Sequence, residues 1–165
     1  MYLPEHFREE RLEAMHQLIH DYPLGMLVTQ SAAGLSANHI PFLMDPEPTP
    51  YGTLRGHVAR HNPVWQEHRA DLDALVVFQG PDAYISPNWY PSKAEHGKVV
   101  PTWNYAVVHA YGPLKVVDDS DWLRHFLGNL TDRHESHQPA PWHLDDAPED
   151  YLQATLRAIV GIEIP

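Results

Sequence analysis

Cysteine is absent from these 165 residues. That excludes a disulfide framework, a thiolate metal site and a cysteine nucleophile. Basic residues are scarce: 11 Lys and Arg stand against 22 Asp and Glu, a formal net charge of −11 at pH 7. A surface that acidic repels polyphosphate, so direct nucleic-acid contact by this chain is not expected. The 13 histidines offset this only in acid, because a free imidazole titrates near ~6.5. No run of ~18 apolar residues occurs, so no membrane span is expected. The opening Met1-Tyr2-Leu3-Pro4-Glu5-His6 lacks the basic-then-apolar order of a secretory leader. The expected location is therefore the cytoplasm. A P-loop, a dinucleotide GxGxxG, a GxSxG elbow and a HExxH zinc motif are all missing.

What is plentiful is proline and large aromatics. Sixteen Pro are about twice the usual share, and they are spread out, so they punctuate a folded chain. Five Trp and eight Tyr point to aromatic side chains lining a pocket or a subunit interface. The length suits one domain over residues 1–165.

Periodicity predicts a helix from Pro4 to Tyr22, closed by Pro23, then strands over 25–30, 35–44 and 51–58. Asn62-Pro63 opens a short helix to about Arg69. Strands are expected at 74–79 and 83–86, separated by a turn at Gly80-Pro81-Asp82, with a functional loop over 87–100. The longest strand signal runs from Trp103 to Val117, with Trp103, Tyr105, Val107, His109 and Tyr111 on one face and a bend at Gly112-Pro113. Helices capped by Ser120 and spanning 149–158, a loop over 135–147 and a last strand at 159–164 complete the pattern. The fold class is mainly β with peripheral helices (α+β), an antiparallel barrel.

Three stretches could carry chemistry. His57-Val58-Ala59-Arg60-His61-Asn62-Pro63 sets a guanidinium and two imidazoles ahead of a helix start, where free N–H groups favour an anion such as phosphate. The same stretch also reads as a helix cap with surface side chains. Thr102-Trp103-Asn104, after Lys93, offers a flat ring and polar edges, or equally a strand burying its aromatics. Gly80 to Tyr90 reads as a pocket wall or a rigid turn. The pairs His57/His61, His16/His20 and His134/His137 have near-ligand spacing without a metal context, so no metal is expected.

On these blocks the sequence resembles the FMN-binding negative transcriptional regulators, the PaiB-like family. The matching runs are Met1 to Pro4 with Phe7, Asn38-His39-Ile40-Pro41-Phe42, HVARHNPVW at 57–65, GPDAYISPNWY at 80–90, Lys93, and VPTWNYAVVHAYG at 100–112. The resemblance implies a split β-barrel of the flavoprotein type and a homodimer with FMN at the subunit interface. It further implies that His39, Ile40 and Pro41 pass the isoalloxazine, that His57, Arg60 and Asn62 hold the phosphate end, and that Lys93, Thr102, Trp103 and Asn104 face the flavin, across the dimer. Family members run on past the final strand with Gly-Lys and then Ser-Gln-Asn motifs, so this chain is expected to lack their C-terminal tail. The implied role is flavin-dependent redox or sensing without direct DNA binding by this chain, with FMN-dependent oxidoreductase activity left open. A haem- or other ligand-binding split barrel and a DNA-binding repressor are the alternatives.

Overall fold

A computed structural model describes residues 1–47 and 49–165. Of the Pro-rich loop expected at 45–50, Pro48 lies outside the described residues. Eight strands form two antiparallel four-stranded sheets. The first sheet holds β1 (Leu24–Ser31), β2 (Gly34–Pro41), β5 (Ala74–Ile85) and β6 (Thr102–Gly112), in the order β2-β1-β5-β6. The second holds β3 (Leu43–Asp45), β4 (Thr53–Ala59), β7 (Lys115–Val117) and β8 (Ile159–Ile164), in the order β3-β4-β8-β7. This is a split β-barrel in the α+β class, as the sequence predicts.

The core lies between the sheets. Alternate residues turn inward: Leu27 on β1, Leu54 and Val58 on β4, Val76 and Phe78 on β5, Val160, Ile162 and Ile164 on β8. Phe42 and Phe78 meet edge to face at 5.9 Å. Gly56 makes room for them, since a Cβ there would lie 3.1 Å from both Ile40 and Phe42. Helix α1 (Leu12–Asp21) begins later than its periodicity suggests and buries Ile19 in this core. Its Leu18 reaches the site where Gly80 would otherwise carry a side chain.

The two outer faces differ. Over the second sheet lie α4 (Ser120–Glu135), which buries Leu123, Phe126 and Leu130, and α5 (Glu149–Arg157), which buries Leu152 and Leu156. Asp119, rather than Ser120, caps α4, its carboxylate accepting the Trp122 N–H at 2.8 Å. Trp122 lies over Gly161 and stacks on Phe126 at 5.2 Å. The first sheet has no such cover: its outward side chains are partly or wholly exposed.

Two polar residues tie the covered side together. The guanidinium of Arg60 donates from Nε to the Arg157 carbonyl at 2.8 Å, from Nη2 to the Ile159 carbonyl at 3.0 Å, and as a fork to both oxygens of Asp118 at 2.6 and 2.9 Å. It thus joins the end of β4 to the α5–β8 junction and to the loop after β7. This pair holds the Asp118 carboxyl below the ordinary range and the arginine above it. His57 lies beneath α4, its ring 5.8 Å from that of Phe126 and its Nδ1 buried without a partner. Burial pushes its pKa down from 6.5.

Arg60→Ala and Asp118→Asn are each expected to lower Tm and leave FMN uptake unchanged. An Arg60→Ala protein of native Tm that has lost FMN would return the guanidinium to a phosphate role. His57 carries its own pH signature. Above pH ~6.5 neither the folded nor the unfolded state charges it. Below that value the unfolded chain binds a proton that the buried ring resists, so stability falls as pH drops. Denaturant titrations from pH 7.5 to 5 should show a shallower loss in His57→Phe than in the native chain; equal slopes would remove His57 from the effect.

Candidate functional site

The stretch at 57–65 does not form the open anion cradle that its sequence suggests. His57 is under α4, and Arg60 is committed to Asp118 and two carbonyls. Asn62 is spent as well: its Nδ2 donates to Asn38 Oδ1 at 2.8 Å, and its Oδ1 accepts the Val64 N–H at 3.0 Å. That amide bridges β2 to the turn before α2 (Val64–Glu67), a helix of only four residues. The physical reason is charge balance. Carboxylates outnumber cations two to one, and six arginines, Arg8, Arg11, Arg55, Arg60, Arg69 and Arg124, pair with Asp or Glu. Among the described residues no lysine enters such a pair.

Two of the three lysines stand on an arm. Beyond Gln79, β5 and β6 leave the barrel as a long hairpin, pairing Asp82 with Tyr105, Tyr84 with Trp103 and Ile85 with Thr102. The expected turn at Gly80-Pro81-Asp82 is a bulge inside one strand, where the missing N–H of Pro81 does no harm. The loop at the tip holds a 3₁₀ turn, Pro87–Trp89, and α3 (Ser92–His96), two elements the sequence pattern does not suggest. Ser86 Oγ accepts the Asn88 N–H at 3.2 Å, and Lys93 Nζ donates to Asn88 Oδ1 at 2.5 Å. An open depression of about 510 Å³ is lined by Asn88, Trp89, Tyr90, Pro91, Lys93 and Ala94. Lys98 follows α3, exposed, and had no part in the sequence-based set.

Thr102, Trp103 and Asn104 are all exposed on the arm. Strand alternation sets Trp103 on one face and Thr102 and Asn104 on the other. Trp103 is 59 % exposed and Tyr105 64 %, and Trp103 meets Tyr84 ring to ring at 5.9 Å. Their row continues down β6 through Val107, His109 and Tyr111 onto the outer face of the first sheet, the single face the sequence predicts.

His39 and Pro41 share that outer face, on β2. Ile40, 4 % exposed, points the other way into the core, so its side chain is not available to a ligand. Over the barrel, as far as Gln79 and short of Asp82 at the start of the arm, the outward positions of this sheet are Leu24, Met26, Val28 and Gln30 on β1, Leu35, Ala37, His39 and Pro41 on β2, Leu75, Val77 and Gln79 on β5, and Val107, His109 and Tyr111 on β6. None is Asp, Glu, Lys or Arg. Within one chain His39 stays away from the arm: it lies in register with Val77, whereas Thr102 pairs with Ile85, roughly 25 Å further along the strands. The candidate residues thus fall into three groups. His39 and Pro41 lie on an uncovered sheet, Lys93, Thr102, Trp103 and Asn104 on a projecting arm, and Ile40, His57, Arg60 and Asn62 inside the fabric of the fold.

Comparison with known proteins agrees with this architecture. The chain is 34 % identical to the Bacillus subtilis protease synthase and sporulation protein PAI 2 over 99 % of its own length and 76 % of that protein. It is 32 % identical to an uncharacterised protein of Aspergillus fumigatus, covering 99 % of this chain and 80 % of that one. Among solved structures, the flavocytochrome Anf3 of Azotobacter vinelandii superposes with a TM-score of 0.67 at 11 % identity, over 99 % of this chain and 68 % of that one. The FAD and haem binding protein of Mycobacterium smegmatis does so with a TM-score of 0.64 at 17 % identity, over 94 % of this chain and 66 % of that one. Residues 1–165 match the family described as "Putative FMN-binding domain", and with a split barrel, an uncharged sheet face and an aromatic arm already in hand, the chain belongs to that FMN-binding family.

Proposed function

We propose that this protein binds FMN where two copies of the chain meet on the outer face of the first sheet, and uses it in redox or sensing chemistry. One observation carries the reading: on a molecule of net charge −11, the barrel part of a four-stranded face presents no charged side chain, and its first carboxylate is Asp82, where the arm begins. Two such molecules repel each other over the rest of their surfaces. An isologous pairing through this face avoids that repulsion and removes apolar surface from water.

The residues fit the two ends of FMN unequally. Trp103 and Tyr105 offer flat, exposed rings for the isoalloxazine, the geometry in which aromatic stacking contributes most. Lys93 and Lys98 are the cations of the arm, and they would neutralise the phosphate of a flavin held there. Arg60, His57 and Asn62 have no part in that grip. Bound flavin would supply the electron transfer, and the chain's task is to hold the ring, shield it and neutralise its phosphate. Among the described residues no side chain is arranged as an acid–base or nucleophilic centre. Direct operator contact is not part of the proposal, because no basic helix or stripe accompanies the charge of −11.

Purified protein should carry or take up FMN, visible as flavin absorption and quenched flavin fluorescence, and should sediment as a dimer. Trp103→Ala is expected to weaken FMN by roughly tenfold or more, the scale of one lost aromatic stack, with Tm retained because the side chain is exposed. Colourless protein that ignores added FMN would overturn the proposal. In a gel-shift series, no sequence-specific DNA complex should survive ~150 mM salt; one that does would reopen direct repression.

A further inference from the structure

The outer face of the first sheet carries a row that reads alike from both ends. In register across β2, β1, β5 and β6 stand His39, Met26, Val77 and His109. With strands ~4.8 Å apart, the two imidazoles are about 14 Å apart, with two apolar side chains between them. The Nδ1 of His109 is buried in the chain and has no hydrogen-bond partner. A buried bare nitrogen is better tolerated than a buried N–H without an acceptor, which places the proton on Nε2. The Nε2–H of His109 is then the polar group of this ring that a group outside the chain can take.

Resting on the reading that two copies pair through this face, we propose that the rows of the two copies lie against each other, so that each of these histidines faces a histidine of the second copy. A two-fold axis between the sheets, crossing the middle of the row, gives this result in either aligned orientation. Running along the strands, it sets His39 of one copy against His109 of the other. Running across them, it sets like against like. The occupant is a second copy because the row is its own complement and the surrounding face is uncharged. Neutral imidazoles facing each other can share one N–H between a donor and an acceptor nitrogen. Protonated ones would bring like charges together in a closing apolar interface.

The carboxylate on this side of β5 is Asp82, where the arm begins, in register with Tyr105 and accepting a hydrogen bond from Gln79 Nε2 at 3.1 Å. Met26 and Val77 fill the row, Ala37 and Pro41 flank His39 on β2, and Val107 and Tyr111 flank His109 on β6, with the Tyr111 ring 6.4 Å from the imidazole. The pairing should therefore loosen in acid through these two residues.

Sedimentation equilibrium of the full chain, without flavin, between pH 7.5 and 5.5 tests this. The dimer dissociation constant of the native chain is expected to rise by ~10-fold or more over that range. His109→Gln and His39→Gln should each flatten the rise, and the double variant should abolish it. His125→Gln, exposed on α4, should leave it intact. A dimer whose constant does not respond to pH, or whose response survives the double variant, overturns the facing rows while leaving the pairing in place. A chain that is monomeric at pH 7.5 at every concentration overturns the pairing itself, and the rows with it.

Discussion

The fold depends on an imbalance of cover between two sheets. Both turn one face inward to a shared core, and each then has a second face to account for. The second sheet is roofed by α4 and α5, with Trp122 and Phe126 lying on β4 and β8. Among the described residues the first sheet has no roof, yet its outward positions over the barrel are Leu, Met, Val, Ala, Pro, Gln, Tyr and His, with no charge among them short of Asp82. In an acidic molecule an uncharged exposed face is the exception, and large exposed apolar patches mark interaction sites. The candidate site is built around that missing cover.

The same acidity decides which cations are free. An arginine here has carboxylates competing for it from every side, and a guanidinium forms its best bonds with a planar, bidentate partner. Arg60 meets Asp118 in that way and also caps two carbonyls at the α5–β8 junction, so it works as a clip between elements distant in sequence. Arg55 does likewise between Asp45 and Glu163. Lysines on a projecting arm escape the competition.

Much of the fold was legible in the sequence. Alternation marked most of the barrel strands, the one-faced row from Trp103 to Tyr111 survives residue for residue, and the split barrel is what the family resemblance implies. The failures have local causes. Gly80-Pro81-Asp82 carries every sign of a turn, but two long strands already paired on either side keep it in register as a bulge. Ile40 sits in a matching block and still points inward, because its neighbours His39 and Pro41 take the outward positions of a strand. The cluster at 57–63 looked electropositive because its partners, Asp118 and Asn38, are 58 and 24 residues away in the chain, and local spacing carries no information about them.

On the proposed pairing, a ligand between the two faces would be held only while the faces meet, so cofactor retention and oligomeric state would be one equilibrium seen from two sides, each shifting with the other. Charge placed on the bare sheet would act on both. Charge placed on the roofed sheet, behind α4, would act on folding alone. The division between a structural half and a binding half is thus written into which sheet the helices cover.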